Sequence, residues 1–293
     1  MRLFFGYDHP NSGTWSVQNA IARALEGMGH TIVSMAVPLD KEPAGMDLSL
    51  SGFDVAHFWN KRSYQYFAKE ICVPFGFTSH GFGATGIEQK KMRQYYVNYF
   101  KSTNPDWMHV MDSFTLSILG QDGLYPFWTP QCITQDGFHR LEPPVGCTVG
   151  CIGHDGDGYK RHEMIGLGAK LAELPFLELN SSNGEVDKAG VIELYRQMGV
   201  YVNAAFGACG PVPPQEALLC GRPVVTTRID TMVGVVQSGV NGEFFDGSPK
   251  DLAKKLRLIA ANPGKYYEGT AKTVLYSAEE SAKMFLEGIE NNL

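Results

Sequence analysis

Short apolar runs alternate with amphipathic stretches along the whole chain. The first run, Leu3–Tyr7, reads as a buried strand. It is followed by the turn formers Asp8-His9-Pro10-Asn11-Ser12-Gly13-Thr14. Val17, Ile21, Ala24, Leu25 and Met28 then fall on one helical face, so a helix is predicted to begin near Trp15 and to stop at Gly29. Thr31–Val37 reads as the second strand, which completes a βαβ unit, the building block of a doubly wound parallel sheet.

The alternation continues. Phe53–Phe58, Val73–Thr78 and Trp107–Met111 are predicted strands, the last followed by a helix over Ser113–Leu119. Glu142-Pro143-Pro144 interrupts the pattern, and it then restarts. Cys147–Ile152, Phe176–Leu179, Val200–Asn203 and Pro223–Thr226 read as strands, and Arg161–Leu171 and Val191–Met198 as helices. A further helix is predicted to open at Glu216–Leu219, with Glu216 in its first turn. We therefore expect an α/β protein of two doubly wound domains, 1–144 and 145–276. The final helix, Ala278–Ile289 within 277–293, is expected to pack back on the first domain. In such folds the carboxyl ends of the strands face a cleft where loop amides and helix N-termini converge.

Composition narrows the classes. With 293 residues, 44% hydrophobic, the chain can build a substantial core, which excludes a disordered polyelectrolyte. No apolar run approaches the ~18 residues that span a bilayer, and the opening apolar stretch is too short for a signal peptide. The six cysteines form no Cys-x-x-Cys pair, so no structural zinc site is expected, and reduced thiols in a cytoplasmic protein are.

The most specific stretch runs from Ala208 through Gly210-Pro211-Val212-Pro213-Pro214-Gln215-Glu216-Ala217-Leu218-Leu219-Cys220-Gly221-Arg222-Pro223-Val224-Val225, then Val235-Val236 and Gly239-Val240-Asn241-Gly242. Physically it is a loop, a short helix, a glycine stop and a buried strand. Glu216 has two readings here. It is a partner for the helix macrodipole, or it accepts hydrogen bonds from both hydroxyls of a ribose. The stretch resembles the retaining glycosyltransferases of the two-domain GT-B fold, in particular glycosyltransferase family 4 (group 1). Leu194–Val202 resembles the helix and strand that precede this motif in the family. Ser12-Gly13-Thr14 with Gly29-His30 resembles the family's first loop and turn, Thr78-Ser79-His80-Gly81 its T-x-H-G strand end, and Gly153-His154 with Lys160 the opening of its second domain.

The resemblance implies two Rossmann-like domains facing a central cleft and a retaining, metal-independent transfer from a nucleotide sugar to a hydroxyl. It also implies roles. Glu216 would hold the donor ribose, Lys160 would neutralise the diphosphate with help from Ser12 and the amides near Gly13, and His80 would touch the donor sugar. Gly210 with Pro211 would present backbone to sugar hydroxyls, and His154 and Arg161 would complete the donor site. The nucleotide sugar is a substrate, and no cofactor or metal is expected. Two departures stand out. The first glutamate of the family's Glu-x7-Glu pair is Ala208, and the usual arginine after Gly153 is His154, which does not guarantee a positive charge. Ala208 leaves a non-catalytic nucleotide-sugar-binding protein, or a sugar-nucleotide epimerase on the same fold, as alternatives. Asp155-Gly156-Asp157 reads as turn chemistry rather than a metal motif.

The net charge of −6 argues against a polyanion binder overall, yet residues 55–105 hold seven basic residues against Glu70 and Glu88. Lys61, Arg62, Lys90, Lys91 and Arg93 are accordingly candidates for the acceptor side. Interleaved aromatics, among them Trp59, Tyr64, Tyr66, Phe67, Tyr99 and Phe100, extend two readings. They form a core stripe beneath a solvated helix face, or an open surface for an anionic or polymeric acceptor. Such an acceptor would be a lipid-linked or polymeric glycan or a modified DNA base.

Overall fold

The computed structural model describes residues 1–7, 13–37, 49–79, 87–133, 137–153, 161–179, 186–205 and 211–293. The chain divides into two compact units, Met1–Thr134 with Tyr276–Leu293, and Gln135–Leu275.

Unit 1 begins with β1 (Arg2–Tyr7), α1 (Gly13–Gly27), β2 (Thr31–Ala36) and β3 (Val55–Phe58). It continues through α2 (Lys61–Phe67), β4 (Phe75–Ser79), α3 (Ile87–Thr103), β5 (Trp107–Val110), α4 (Ser113–Gln121) and β6 (Phe127–Trp128). Unit 2 runs β7 (Val149–Ile152), α5 (His162–Ala172), β8 (Phe176–Leu179), α6 (Lys188–Gln197), β9 (Val200–Asn203) and α7 (Val212–Leu219). Then come β10 (Val224–Thr226), α8 (Asp230–Val233), β11 (Gly242–Phe244), α9 (Pro249–Ala261) and α10 (Pro263–Thr270), and α11 (Ala278–Glu290) returns to unit 1.

Among the described residues the first sheet has the order β2-β1-β3-β4-β5-β6 and the second β11-β10-β9-β7-β8. Every pairing in both is parallel. In both sheets the order reverses direction partway, the doubly wound pattern expected from the alternating apolar and amphipathic runs. The central strands β3, β7 and β9 are buried at every position, as parallel strands covered on both faces must be. Gly29, at φ 91°, closes α1, its N–H donating to the Glu26 carbonyl while His30 N–H reaches back to Leu25.

The core of unit 1 is aromatic. Phe4 packs edge-on to Phe53 and Phe67, and Tyr64 packs against Phe75, Phe77 and Tyr99. Helix α11 adds Phe285, which stacks on Trp59 at 5.6 Å between ring centroids and meets His57 and His109 edge-on. Beneath it a polar chain crosses three strands, β3, β4 and β5, and reaches the residue after β6. Trp107 Nε1 donates to His57 Nδ1 at 3.1 Å, and His57 Nε2 lies 2.7 Å from Thr78 Oγ1. Thr78 Oγ1 in turn lies 2.8 Å from His109 Nδ1, and His109 Nε2 lies 2.7 Å from Thr129 Oγ1. An indole N–H can only donate, so His57 accepts at Nδ1 and donates from Nε2 to Thr78. The same order continues most simply with Thr78 donating to His109 Nδ1 and His109 Nε2 donating to Thr129. Gly76 is required beside this chain, because a methyl group there would overlap the Trp107 indole.

The structure also corrects the start of one helix. Helix α7 begins at Val212, with Pro213 and Pro214 in its first turn, and no acidic residue lies in that turn. Proline is tolerated there because its missing N–H would have no helical partner anyway. Glu216 therefore sits in the second turn, beyond the strongest part of the macrodipole, and the dipole reading of its charge lapses.

Candidate active site

Helix α7 is bounded by Pro211 as its N-cap and by Cys220, after which Gly221, at φ 77°, releases the chain into β10. The turn is tight because Gly221 N–H donates to Leu218 and Arg222 N–H to Ala217. On this helix Ala217 and Leu218 face the core, and Glu216 is partly buried beside them.

The Glu216 carboxylate meets the preceding helix. Tyr195 of α6 is fully buried, and its hydroxyl lies 2.9 Å from Glu216 Oε2 and 2.9 Å from the carbonyl oxygen of Pro213. Burial pushes the Glu216 carboxyl up to about 7, while the Tyr195 hydrogen bond and the charge of Lys188 pull the other way. The Tyr195 hydroxyl is itself raised well above its ordinary range, first by burial and then by the neighbouring carboxylate. Glu216 is thus an enclosed acceptor, and its second oxygen, Oε1, takes no hydrogen bond from a described residue. A carboxylate so placed suits a pair of hydroxyl donors.

A buried arginine sets the level of Tyr195. Arg222 has no exposed surface; its Nε donates to the Tyr195 carbonyl at 2.6 Å, and Nη1 and Nη2 donate to the Glu142 carbonyl at 3.0 Å each. A cation at the C-terminal carbonyls of α6 meets the negative end of that helix. Phe138 and Tyr201 flank the Tyr195 ring, with centroids 6.1 Å away in each case, and the Tyr201 hydroxyl donates to the Ile152 carbonyl. Sequence reasoning noticed the segment around Tyr195 and the Cys-Gly-Arg-Pro run but gave neither side chain a role. The available signal was a tyrosine at a core position of an amphipathic helix, where a buried hydroxyl needs a partner.

Of the other residues read from the sequence, Arg161 is described. It precedes α5 in a left-handed conformation, φ 58° and ψ 44°, and its Nη2 donates to the Gly247 carbonyl at 2.8 Å. Burial lowers the pKa of its guanidinium. Gly13 is the first residue of α1. Ser12, His80, His154, Lys160, Gly210 and Ala208 lie outside the described residues, as do Asp155 and Asp157. His162 is buried with Nδ1 2.8 Å from Glu178 Oε1, an internal pairing.

The acceptor-side candidates divide. Arg93 is a bidentate partner of Asp122, through Nε at 2.7 Å and Nη2 at 2.9 Å, which raises the arginine and lowers the aspartate. Its charge is therefore balanced locally by Asp122. Lys61 lies over the Tyr99 ring at 5.3 Å, and Arg62 is its neighbour at the start of α2. Lys90 and Lys91 lie on α3. Among the described residues, the aromatics of this stretch do not form an open surface. Trp59, Tyr66, Phe67 and Phe100 are buried, with Tyr64 and Tyr99 packed against them. The alternation of rings with charges reflects one buried face and one solvated face, so the core-stripe reading holds for these residues.

Comparison with known proteins adds to this geometry. Residues 164–262, a stretch that includes α6, α7 and Glu216, match the model of the family described as glycosyl transferases group 1. The whole fold is similar to a sucrose-phosphate synthase from Thermosynechococcus elongatus, with a TM-score of 0.76 at 12% identity over 99% of this chain and 98% of that one. It is similar also to a glycosyltransferase from Rickettsia africae ESF-5, with a TM-score of 0.71 at 14% identity and the same coverage. A third likeness is to HepE of Anabaena in complex with UDP and glucose, with a TM-score of 0.65 at 12% identity over 99% and 98% of the two chains. No curated protein matches the chain at the level of sequence. No described helix is long and apolar enough to cross a membrane. The doubly wound sheets thus share the fold of these GT-B structures, and the second unit carries a group 1 glycosyl transferase domain.

Proposed function

We propose that the protein is a cytoplasmic, retaining, metal-independent glycosyltransferase of the family 4 kind, taking its sugar from a nucleotide sugar. The observation that supports this most directly is the Glu216 carboxylate. It is enclosed, held at one oxygen by Tyr195, and lies within the stretch that matches the group 1 domain. We assign it to the two hydroxyls of the donor ribose. Lys160, with Arg161, Ser12 and the Gly13 amide, answers the charge that grows on the diphosphate as the sugar bond breaks. Preorganised cations and amides stabilise that charge most in the transition state. His80, His154, Gly210 and Pro211 complete the contacts to the donor.

For the acceptor we propose a lipid-linked or polymeric glycan, with Lys61, Arg62, Lys90 and Lys91 meeting its anionic groups. The burial of Trp59, Tyr66, Phe67 and Phe100 and the pairing of Arg93 with Asp122 favour a glycan over a modified DNA base. Ala208 supports a second reading, a nucleotide-sugar-binding protein without turnover.

The test is incubation with UDP-, GDP- and ADP-sugars, following nucleoside diphosphate release with and without acceptor glycans and with a chelator present. Release with an acceptor, retention at the anomeric carbon by NMR and indifference to the chelator are expected. Tight donor binding with no release for any acceptor would establish the binding protein instead. Steep loss of duplex-DNA binding with salt, together with transfer to DNA, would replace the glycan acceptor.

A further inference from the structure

The Tyr195 hydroxyl stands between two acceptors, Glu216 Oε2 and the Pro213 carbonyl, each at 2.9 Å. It has a single proton to give. With Glu216 ionised, the proton belongs on the carboxylate, where a charge-assisted bond is the stronger. With Glu216 protonated, the hydroxyl turns to Pro213 and can accept from the acid. One buried phenol thereby serves Oε2 in both states of the carboxyl. The ring is held in place, because Phe138 and Tyr201 pack against it and Arg222 holds its backbone carbonyl at 2.6 Å.

We propose that Tyr195 is a positioning residue for the donor, its hydroxyl fixing Glu216 by Oε2 so that Oε1 and the rotamer of the carboxylate are set for a vicinal diol. This rests on the assignment of Glu216 to the ribose. Tyr195 does not itself touch the ligand. Its buried hydroxyl restrains a side chain that would otherwise distribute over several rotamers, and it supplies the hydrogen bond that keeps the enclosed carboxyl ionisable. The described titratable groups that influence this pair are Lys188 of the same helix, Tyr201 of β9 and Cys220 at the end of α7.

The experiment compares UDP, GDP and ADP with their 2′,3′-dideoxy counterparts by calorimetry at pH 8, and carries the tightest pair forward. A charge-assisted contact of this kind is worth roughly tenfold or more in affinity, so the wild type should prefer the ribose form by at least that factor. Tyr195→Phe should narrow the preference to about threefold while leaving dideoxynucleotide affinity unchanged, which a general loss of structure would not do. In a Glu216→Ala background, Tyr195→Phe should add no further loss. The pH at which the ribose preference appears should move up in Tyr195→Phe and down when 3-fluorotyrosine, a stronger donor that preserves the fold, replaces Tyr195. An unchanged preference and an unchanged midpoint in both replacements would overturn the inference alone, with Glu216→Ala still losing the preference. A wild-type protein that shows no ribose preference, or that binds none of the diphosphates, overturns the assignment of Glu216 and this inference with it.

Discussion

The Nε atom of Arg222 lies 2.6 Å from the carbonyl oxygen of Tyr195, so a guanidinium with no exposed surface caps the end of the helix that carries the Glu216 partner. Among the described residues its hydrogen-bond acceptors are backbone carbonyls, those of Tyr195, Glu142 and Arg196. Burial lowers its pKa, which marks a charge held at some cost in stability.

Arg222→Met follows from that arrangement. The substitution keeps the volume, strips the Glu142 carbonyl of its Arg222 donors and leaves the Tyr195 carbonyl the longer bond from Met198 N–H at 3.3 Å. Each buried unpaired group costs about 1–3 kcal/mol, partly offset by removing the buried charge, so a net loss of about 2–3 kcal/mol is expected. Urea denaturation measures it. A midpoint equal to that of the wild type would show that water or other donors satisfy these carbonyls.

The raised pKa of Glu216 predicts an inverted pH profile for stability. Its carboxyl titrates near 7 in the folded chain against an ordinary 4.5. Below about pH 4.5 both states hold the proton, and the group contributes nothing. Between 4.5 and 7 the folded state alone keeps the proton, so stability falls as pH rises. Above 7 the penalty is complete, at about 3 kcal/mol. Glu216→Gln should therefore melt higher than the wild type at pH 8.5 and alike at pH 4.5, while losing nucleotide affinity at pH 8.5, where the wild-type carboxyl is ionised. Equal melting temperatures at pH 8.5 would place the carboxyl in a wetter site than the structure shows.

Thr78 tests the polar chain in unit 1. Thr78→Val preserves shape but leaves His57 Nε2 without its acceptor and breaks the link to His109. A loss of about 2–4 kcal/mol is expected, larger than for a hydroxyl on the surface, because both imidazoles lie in the core. NMR of the imidazole nitrogens should show His57 protonated at Nε2 and bare at Nδ1 in the wild type.

Phe285 tests how far α11 is part of unit 1. Its ring contacts Phe5, His57, Trp59, His109 and Phe127, and Ser281 on the same helix donates to the Pro130 carbonyl. Phe285→Ala should cost about 3–5 kcal/mol by calorimetry. Loss of less than 1 kcal/mol would show that α11 is peripheral.

The sequence by itself determined the alternation of strands and helices. Phe176–Leu179 and Val200–Asn203 were read with the bounds the structure gives, because a short apolar run between turn formers is a local signal. The family-like stretch around Glu216 was equally local, a loop, helix and strand contiguous in the chain. What the tertiary structure decided lies across greater separations. Glu216 acquires its character from Tyr195, 21 residues earlier, and Tyr195 is held by Arg222, 27 residues later. Lys61 and Arg93 carry the same formal charge, yet Asp122, 29 residues on, takes Arg93 into a bidentate pair. The rings between residues 55 and 105 alternate with charges in the same way whether they line a core or a surface. Only the packing of β3, β4, α3 and α11 settles that Trp59, Tyr66, Phe67 and Phe100 are inside, because burial depends on what the rest of the chain brings to each face.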